Sequence, residues 1–305
     1  VVPSGGYVWW YVDALSDDGR HGLTLIAFVG SVFSPYYARA RRRGAADPED
    51  HCALNVALYG AGGKRWALTE RGRRSVRRER TSIAIGPSAL AWDGRTLTVA
   101  IDEVTVPVPA PIRGRVRVEP TALPAEDFAL DCEGRHRWRP IAPTARIEVT
   151  LERPALRWSG HAYLDSNQGD APLEDAFAHW QWSRGALPDG STVVLYDVAR
   201  RAGAPLCLAL RCGPDGRILH LSPPAPAALP GTLWRVARAT RADPGAPATV
   251  VATLEDAPFY ARSLVAASIG GEPVTWVHES LSLDRFRRRW VQVLLPFRMP
   301  RRSAW

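Results

Sequence analysis

Apolar and polar positions in this chain alternate with a period of two, in short runs that end in Gly, Pro or Asp-Gly pairs. Residues 6–14 place Tyr7, Trp9, Tyr11 and Asp13 on one face of a predicted strand and Val8, Trp10 and Val12 on the other, and both faces are apolar enough to be buried. Asp17-Asp18-Gly19 predicts a turn into a strand over 23–33, and Gly60 to Gly63 joins a second pair over 51–59 and 64–70. Further strands are expected at 82–85, 96–101, 104–108, 114–118, 147–151 and 158–165. A helical turn at 174–179 then precedes an aromatic strand at Trp180-Gln181-Trp182. After it the pattern resets, with strands at 192–196, 206–211, 218–221, 233–237, 248–254 and 276–280, while 262–267 fits no pattern cleanly. The expectation is an all-β protein of antiparallel sandwich or barrel type. Its two domains, residues 1–170 and 171–305, lie side by side with a crevice between them.

Composition sharpens this picture. Twenty-six Pro and 25 Gly argue against long helices, while 12 Trp, eight Tyr and seven Phe supply bulky core side chains. Cys52, Cys132, Cys207 and Cys212 form no CxxC pair and have no clustered His partners, which supports neither a zinc site nor a redox dithiol and suits reduced thiols in a cytoplasmic setting, with a Cys207–Cys212 pair across a hairpin as the alternative. The formal charge of +8 is carried by arginine, since Lys64 is the sole lysine. Arginines bunch at 41–43, at 73–74 with 77–78, and at 287–289, a distribution suited either to a solvated surface or to peripheral contact with anionic lipid. No helix-turn-helix, zinc-finger or RNP-type pattern supports nucleic-acid binding. The longest uncharged stretch, 21–38, is broken by Gly30 and Pro35, and its core at 23–33 reads as a buried strand rather than a membrane span. The chain opens at Val1 with neither a methionine nor a signal-peptide pattern, as a trimmed chain would.

Candidate chemistry centres on GHAYLDSNQG at 160–169, which sets His161, Tyr163 and Asp165 at alternate positions of one strand. GRHRW upstream spaces His136 and Trp138 in the same way. Aromatic residues at this period are common in ordinary β cores. An acid among them is not: Asp165 either pairs with a base, caps a turn at 166–169, or titrates in function.

Five segments in order, GGYVWWYVDALSDDG (5–19), GLTLIAFVGSVFSPYYARARR (22–42), HCALNVALYG (51–60), RWALTERG (65–72) and WSGHAYLDSNQGDAPLEDAFAHWQWSRG (158–185), closely resemble bacterial carotenoid 1,2-hydratase, also called hydroxyneurosporene synthase. The resemblance implies a two-domain lipocalin-like fold. It also implies a cofactor-free, metal-free enzyme that adds water to the terminal C1–C2 double bond of acyclic carotenoids such as neurosporene and lycopene. Protonation at C2 places the charge on tertiary C1, so an acid must remain protonated near neutrality. An unperturbed Asp, with a pKa of about 3.9, would be roughly 0.1 % protonated at pH 7, and burial raises that fraction.

Asp165 is the expected acid, with Trp138 and Tyr163 offering ring faces to the cation. His136 is assigned to the incoming water or to a hydrogen bond with Asp165, and His161 fits either role beside the substrate. Trp9, Tyr11, Trp180 and Trp182 are candidate walls for a polyene, or simply core. Glu70 and Arg71 read as a structural ion pair and Arg184 as a surface or interface charge. Two rivals stand beside this reading: a lipocalin-like carrier of a hydrophobic ligand, and a cyclase or pericyclic enzyme of the same fold.

Overall fold

The computed structural model describes residues 1–302. In chain order the strands are β1 (Tyr7–Ser16), β2 (His21–Val29), β3 (Cys52–Gly60), β4 (Arg65–Arg71), β5 (Val76–Arg78), β6 (Ser82–Ile85), β7 (Ser88–Trp92), β8 (Leu97–Val104), β9 (Pro111–Pro120), β10 (Phe128–Ala129) and β11 (His136–Arg153). They continue with β12 (Leu156–Gly169), β13 (Phe177–Ala186), β14 (Thr192–Arg200), β15 (Leu206–Cys212), β16 (Ile218–His220), β17 (Ala225–Leu229), β18 (Arg238–Ala242), β19 (Thr249–Asp256), β20 (Tyr260–Ile269), β21 (Glu272–Ser282) and β22 (Arg301–Arg302). Four short helices interrupt them: α1 (Pro35–Arg42), α2 (Leu173–Ala176), α3 (Leu283–Phe286) and α4 (Arg289–Arg298). None is long and apolar enough to cross a membrane.

The chain divides into two compact units. The first comprises residues 1–128, 135–172 and the C-terminal stretch from Val293; the second comprises 129–134 and 173–292.

The first unit is built on a sheet of order β22-β4-β3-β2-β1-β12-β11-β9-β8-β7-β6-β5, with β10 beside β11. Neighbours are antiparallel except β22, which runs parallel to β4. The sheet curls: the Val106 N–H after β8 donates to the Trp66 carbonyl on β4 at 3.2 Å, and Arg71 of β4 reaches Glu103 of β8 at 2.9 Å. The barrel expected from the strand pattern is therefore a curled half-barrel. Its concave face closes over aliphatic side chains, among them Val12, Leu25, Val56, Val99, Val149 and Leu164. Each such fully buried side chain contributes about 1.5–3 kcal/mol.

The second unit carries a seven-stranded sheet, β16-β15-β14-β13-β21-β20-β19, and the separate hairpin β17–β18. Val193, Leu195, Val265 and Trp276 sit in its core. On its central strands His278 is fully buried between two hydroxyls, Ser183 Oγ at 2.9 Å from Nδ1 and Ser280 Oγ at 3.0 Å from Nε2. Burial, seconded by the charge of Arg238, pushes the imidazole pKa down to about 3.

Several expectations are corrected. The strand predicted at 104–108 ends at Val104, because Pro107 and Pro109 carry no donor and Thr105 Oγ1 closes a turn by accepting from the Ala110 N–H at 2.8 Å. Residues 233–237 also turn rather than extend. There Thr232 Oγ1 accepts from the Val236 N–H at 3.0 Å, and Arg235 adopts a left-handed φ of 58°. Helix α1, just beyond the strand predicted at 23–33, was not expected; Ser34 caps it by accepting from the Tyr36 and Tyr37 N–H groups, with Pro35 at the first helical position. Glu70 and Arg71 do not pair with each other, since adjacent strand residues face opposite sides. Glu70 is held by His51 and Arg301, and Arg71 by Glu103. Arg184, read as a surface or interface charge, is buried. The C-terminal residues, expected with the second domain, instead return to the first unit, where Arg301 and Arg302 pair with Glu70 and Arg71.

Candidate active site

Strand β12 lies between β1 and β11, and the run predicted to turn at 166–169 instead continues as strand, paired on both sides. The register sets Asp165 opposite Tyr11 on one side and Pro140 on the other, with Asn167 opposite Trp9 and Trp138. Tyr163, Asp165 and Asn167 thus share the face turned away from the aliphatic core, while Ala162 and Leu164 point into that core.

Asp165 is only 4 % exposed, and Trp138 and Tyr163 are fully buried. The indole Nε1–H of Trp138 donates to Asp165 Oδ2 at 2.8 Å, and the Tyr163 hydroxyl donates to the same oxygen at 2.9 Å. Indole nitrogen can only donate, so Oδ2 is fixed as an acceptor. In a protonated carboxyl that arrangement assigns Oδ2 as the carbonyl oxygen and Oδ1 as the proton carrier. Ring neighbours complete the setting: Tyr11 meets Tyr163 edge-on at 6.3 Å between centroids, and Phe128 lies 5.3 Å from Trp138.

His136 is also buried, but its Nδ1 engages the Tyr7 hydroxyl at 2.9 Å, the two rings stacking at 5.9 Å. Gly169 makes room for this pair, since a Cβ there would lie 2.7 Å from His136 Nδ1 and 2.9 Å from the Tyr7 oxygen. Tyr7 stacks in turn on Trp9 at 5.0 Å. Sequence reasoning gave no role to Tyr7, Asp13 or Asn167, all buried on this face. The period-two pattern of β1 already placed Tyr7 and Asp13 on one face, whereas Asn167 lay in the run expected to turn and joins this face because β12 continues to Gly169.

Other predicted residues are not gathered here. His161 lies on the correct strand face but at its exposed end, 3.8 Å from Asp17, which is bound by Arg146 through two hydrogen bonds of 2.7 and 2.6 Å. Those bonds from Arg146 hold the Asp17 carboxyl below its usual range. Trp180 and Trp182 are buried in the second unit's sheet, where Trp180 packs edge-on against Phe177 and Tyr196. Among the described residues no group of three His, Cys, Asp or Glu is placed to hold a metal ion. On the concave side of β1, β11 and β12 lies a cavity of about 300 Å³ lined by Trp10, Leu90, Ile141 and Leu164, with Arg78 over the Trp10 ring at 5.6 Å.

The fold is of a kind seen in solved structures. A Nitrosomonas europaea protein described as AttH superposes with a TM-score of 0.63 over 90 % of this chain and 92 % of its own, at 14 % identity, which establishes a shared β architecture. At the level of sequence, the model for the family described as carotenoid hydratase CrtC matches residues 25–305. An acyclic carotenoid 1,2-hydratase from Thiocapsa roseopersicina is 59 % identical over 301 residues, covering 98 % of this chain and 74 % of that protein. Its counterpart from Rubrivivax gelatinosus is 57 % identical over 304 residues, covering 99 % and 75 %. The chain belongs to the carotenoid hydratase family.

Proposed function

We propose that this protein is an acyclic carotenoid 1,2-hydratase, a hydro-lyase that adds water across the terminal C1–C2 double bond of open-ended carotenoids of the neurosporene and lycopene type. The observation that carries the mechanism is the carboxyl of Asp165, buried on an aromatic face with both ring donors on one of its oxygens. Burial favours the neutral form of a carboxyl, and the neutral form is the one hydration needs.

In this reading Oδ1 of Asp165 delivers its proton to C2. The π electrons form the new C–H bond and leave the positive charge on tertiary C1. Trp138 and Tyr163 stabilise that cation through their ring faces, each by about 0.5–2 kcal/mol. Water attacks C1, and its surplus proton returns to the carboxylate, so the enzyme ends as it began. His136, whose Nδ1 engages the Tyr7 hydroxyl, is the residue that orients that water or relays the proton. Trp9 and Tyr11 extend the apolar wall for the polyene.

No cofactor enters this sequence of steps. The architecture accompanying the reading is a pair of lipocalin-like domains. Four free cysteines fit a cytoplasmic setting, and the arginine clusters fit peripheral contact with the anionic membrane in which the substrate dissolves.

The apolar cavity on the concave side favours a second reading, a carrier of a hydrophobic ligand. Incubation with lycopene followed by mass spectrometry decides. Addition of one or two waters, abolished by Asp165→Asn, supports hydration; lycopene recovered unchanged supports carriage, and a product of unchanged mass but altered spectrum supports cyclisation.

A further inference from the structure

Helix α4 is apolar on two faces, and the fold buries only one. Val291, Leu295 and Met299 are packed away, while Trp290, Val293, Leu294 and Phe297 are open to solvent, Val293 at 67 % and Phe297 at 71 % exposure. The spacing of the exposed four, three then one then three residues, places them on a single face of the helix. Trp290 is itself stacked by Trp234 at 6.1 Å. Isolated apolar side chains on a surface need no explanation, whereas a contiguous set of this kind marks a contact surface.

Charge identifies the partner. Residues 285–302 contain seven arginines and no acidic residue. Arg287 and Arg288 before the helix and Arg289 at its first position are exposed, Arg285 lies over the Trp290 ring at 5.9 Å, and Arg302 is exposed beyond its end. A symmetric contact with a second copy would set this cationic patch against itself. An apolar stripe of Trp, Leu and Phe flanked by arginine is instead the composition of a helix that lies in the interface of an anionic bilayer.

We propose that α4 is the surface by which the protein docks onto an anionic membrane, the exposed face of the helix entering the boundary between headgroups and acyl chains. The inference rests on the proposed hydration of a membrane-dissolved carotenoid, and it assigns that encounter to one segment rather than to the arginine clusters at large.

The test is co-sedimentation of the full chain with phosphatidylcholine vesicles, with and without phosphatidylglycerol, at physiological salt. Wild-type protein is expected to sediment with the anionic vesicles. The double variant Val293→Asp/Phe297→Asp, its fold checked by circular dichroism, should lose roughly tenfold or more of its vesicle affinity. It should hydrate detergent-dispersed lycopene at the wild-type rate but vesicle-embedded lycopene slowly. If the aspartates disturb folding, Val293→Ser/Phe297→Ser gives the same comparison with a smaller loss. Equal sedimentation of folded variant and wild type overturns the assignment of this surface. So does a wild-type dimer in gel filtration that Phe297→Asp converts to monomer. Wild-type protein that hydrates detergent-dispersed lycopene yet ignores every vesicle refutes the docking while leaving the hydratase reading intact; vesicle binding without hydration does the reverse.

Discussion

Asp165 and His278 are buried titratable side chains on inner strands of the two sheets, yet the partners that surround them differ in kind. His278 has a serine hydroxyl at each ring nitrogen; Ser280 gives its own proton to Gln181 Oε1 and so accepts from Nε2–H, which leaves Nδ1 to accept from the Ser183 hydroxyl and satisfies the neutral ring. Asp165 receives two donors on the same oxygen from large, immobile rings. Hydroxyl partners on both sides lock a neutral group in place, whereas ring donors on one side bias a carboxyl toward a defined orientation and leave an aromatic surface beside it.

The sharpest way to break this contrast is to neutralise each group in turn. Asp165→Asn keeps the side-chain volume and an oxygen for Trp138 and Tyr163, so the melting temperature should stay within a few degrees while turnover of lycopene falls by about 10²–10⁴-fold. Near-normal turnover would remove Asp165 as the acid. Trp138→Phe retains a ring but deletes the indole donor, and turnover should drop roughly ten- to a hundredfold, the worth of one hydrogen bond to an ionisable group. The matching change at Trp158, which packs with the aliphatic core on the other face of β12, should lower stability by about 1–3 kcal/mol and leave turnover within about twofold. Steady-state assays and urea melts on the two variants test that difference directly.

His278 makes the opposite prediction. Its folded pKa of about 3 lies below the ordinary value of 6.5, so protons below pH 6.5 bind the unfolded chain and not the folded one. Its contribution to stability is complete above pH 6.5 and is lost as pH falls toward 3, at about 1.4 kcal/mol per unit. Urea melts at pH 7, 6 and 5 should show this slope, and His278→Gln should flatten it with little change in turnover at pH 7. A slope unchanged by the substitution would assign it to other groups. The smallest effect is expected at His161. Exposed and beside Asp17, its change to Ala should alter stability by less than about 0.5 kcal/mol and turnover by less than about twofold.

His161 and Asp165 show how far the sequence reaches. Both sit at even spacing on β12, and the period of two correctly gives them one face; it says nothing of depth along the strand, where Asp165 is enclosed and His161 emerges into solvent. Tyr7 and His136 were likewise placed on candidate faces by alternation, but their mutual hydrogen bond joins residues 129 positions apart and depends on β12 lying between their strands. The strand predicted at 104–108 failed for a local reason, because hydrophobic alternation there was broken by prolines that the turn at Thr105 uses.

Local pattern by itself determined the β class, most strand positions, the family resemblance and the identity of Trp138, Tyr163 and Asp165 as a group, since each of these follows from alternation or from contiguous segments of chain. Only the tertiary structure decided which members of a face are buried, that both ring donors converge on one carboxylate oxygen, that the C-terminal segment returns to pair with β4, and that one apolar face of α4 is left uncovered. The physical reason is common to all four. Burial and convergence are properties of distant segments brought together, and a period of two or 3.6 fixes the direction of a side chain without fixing what stands in front of it.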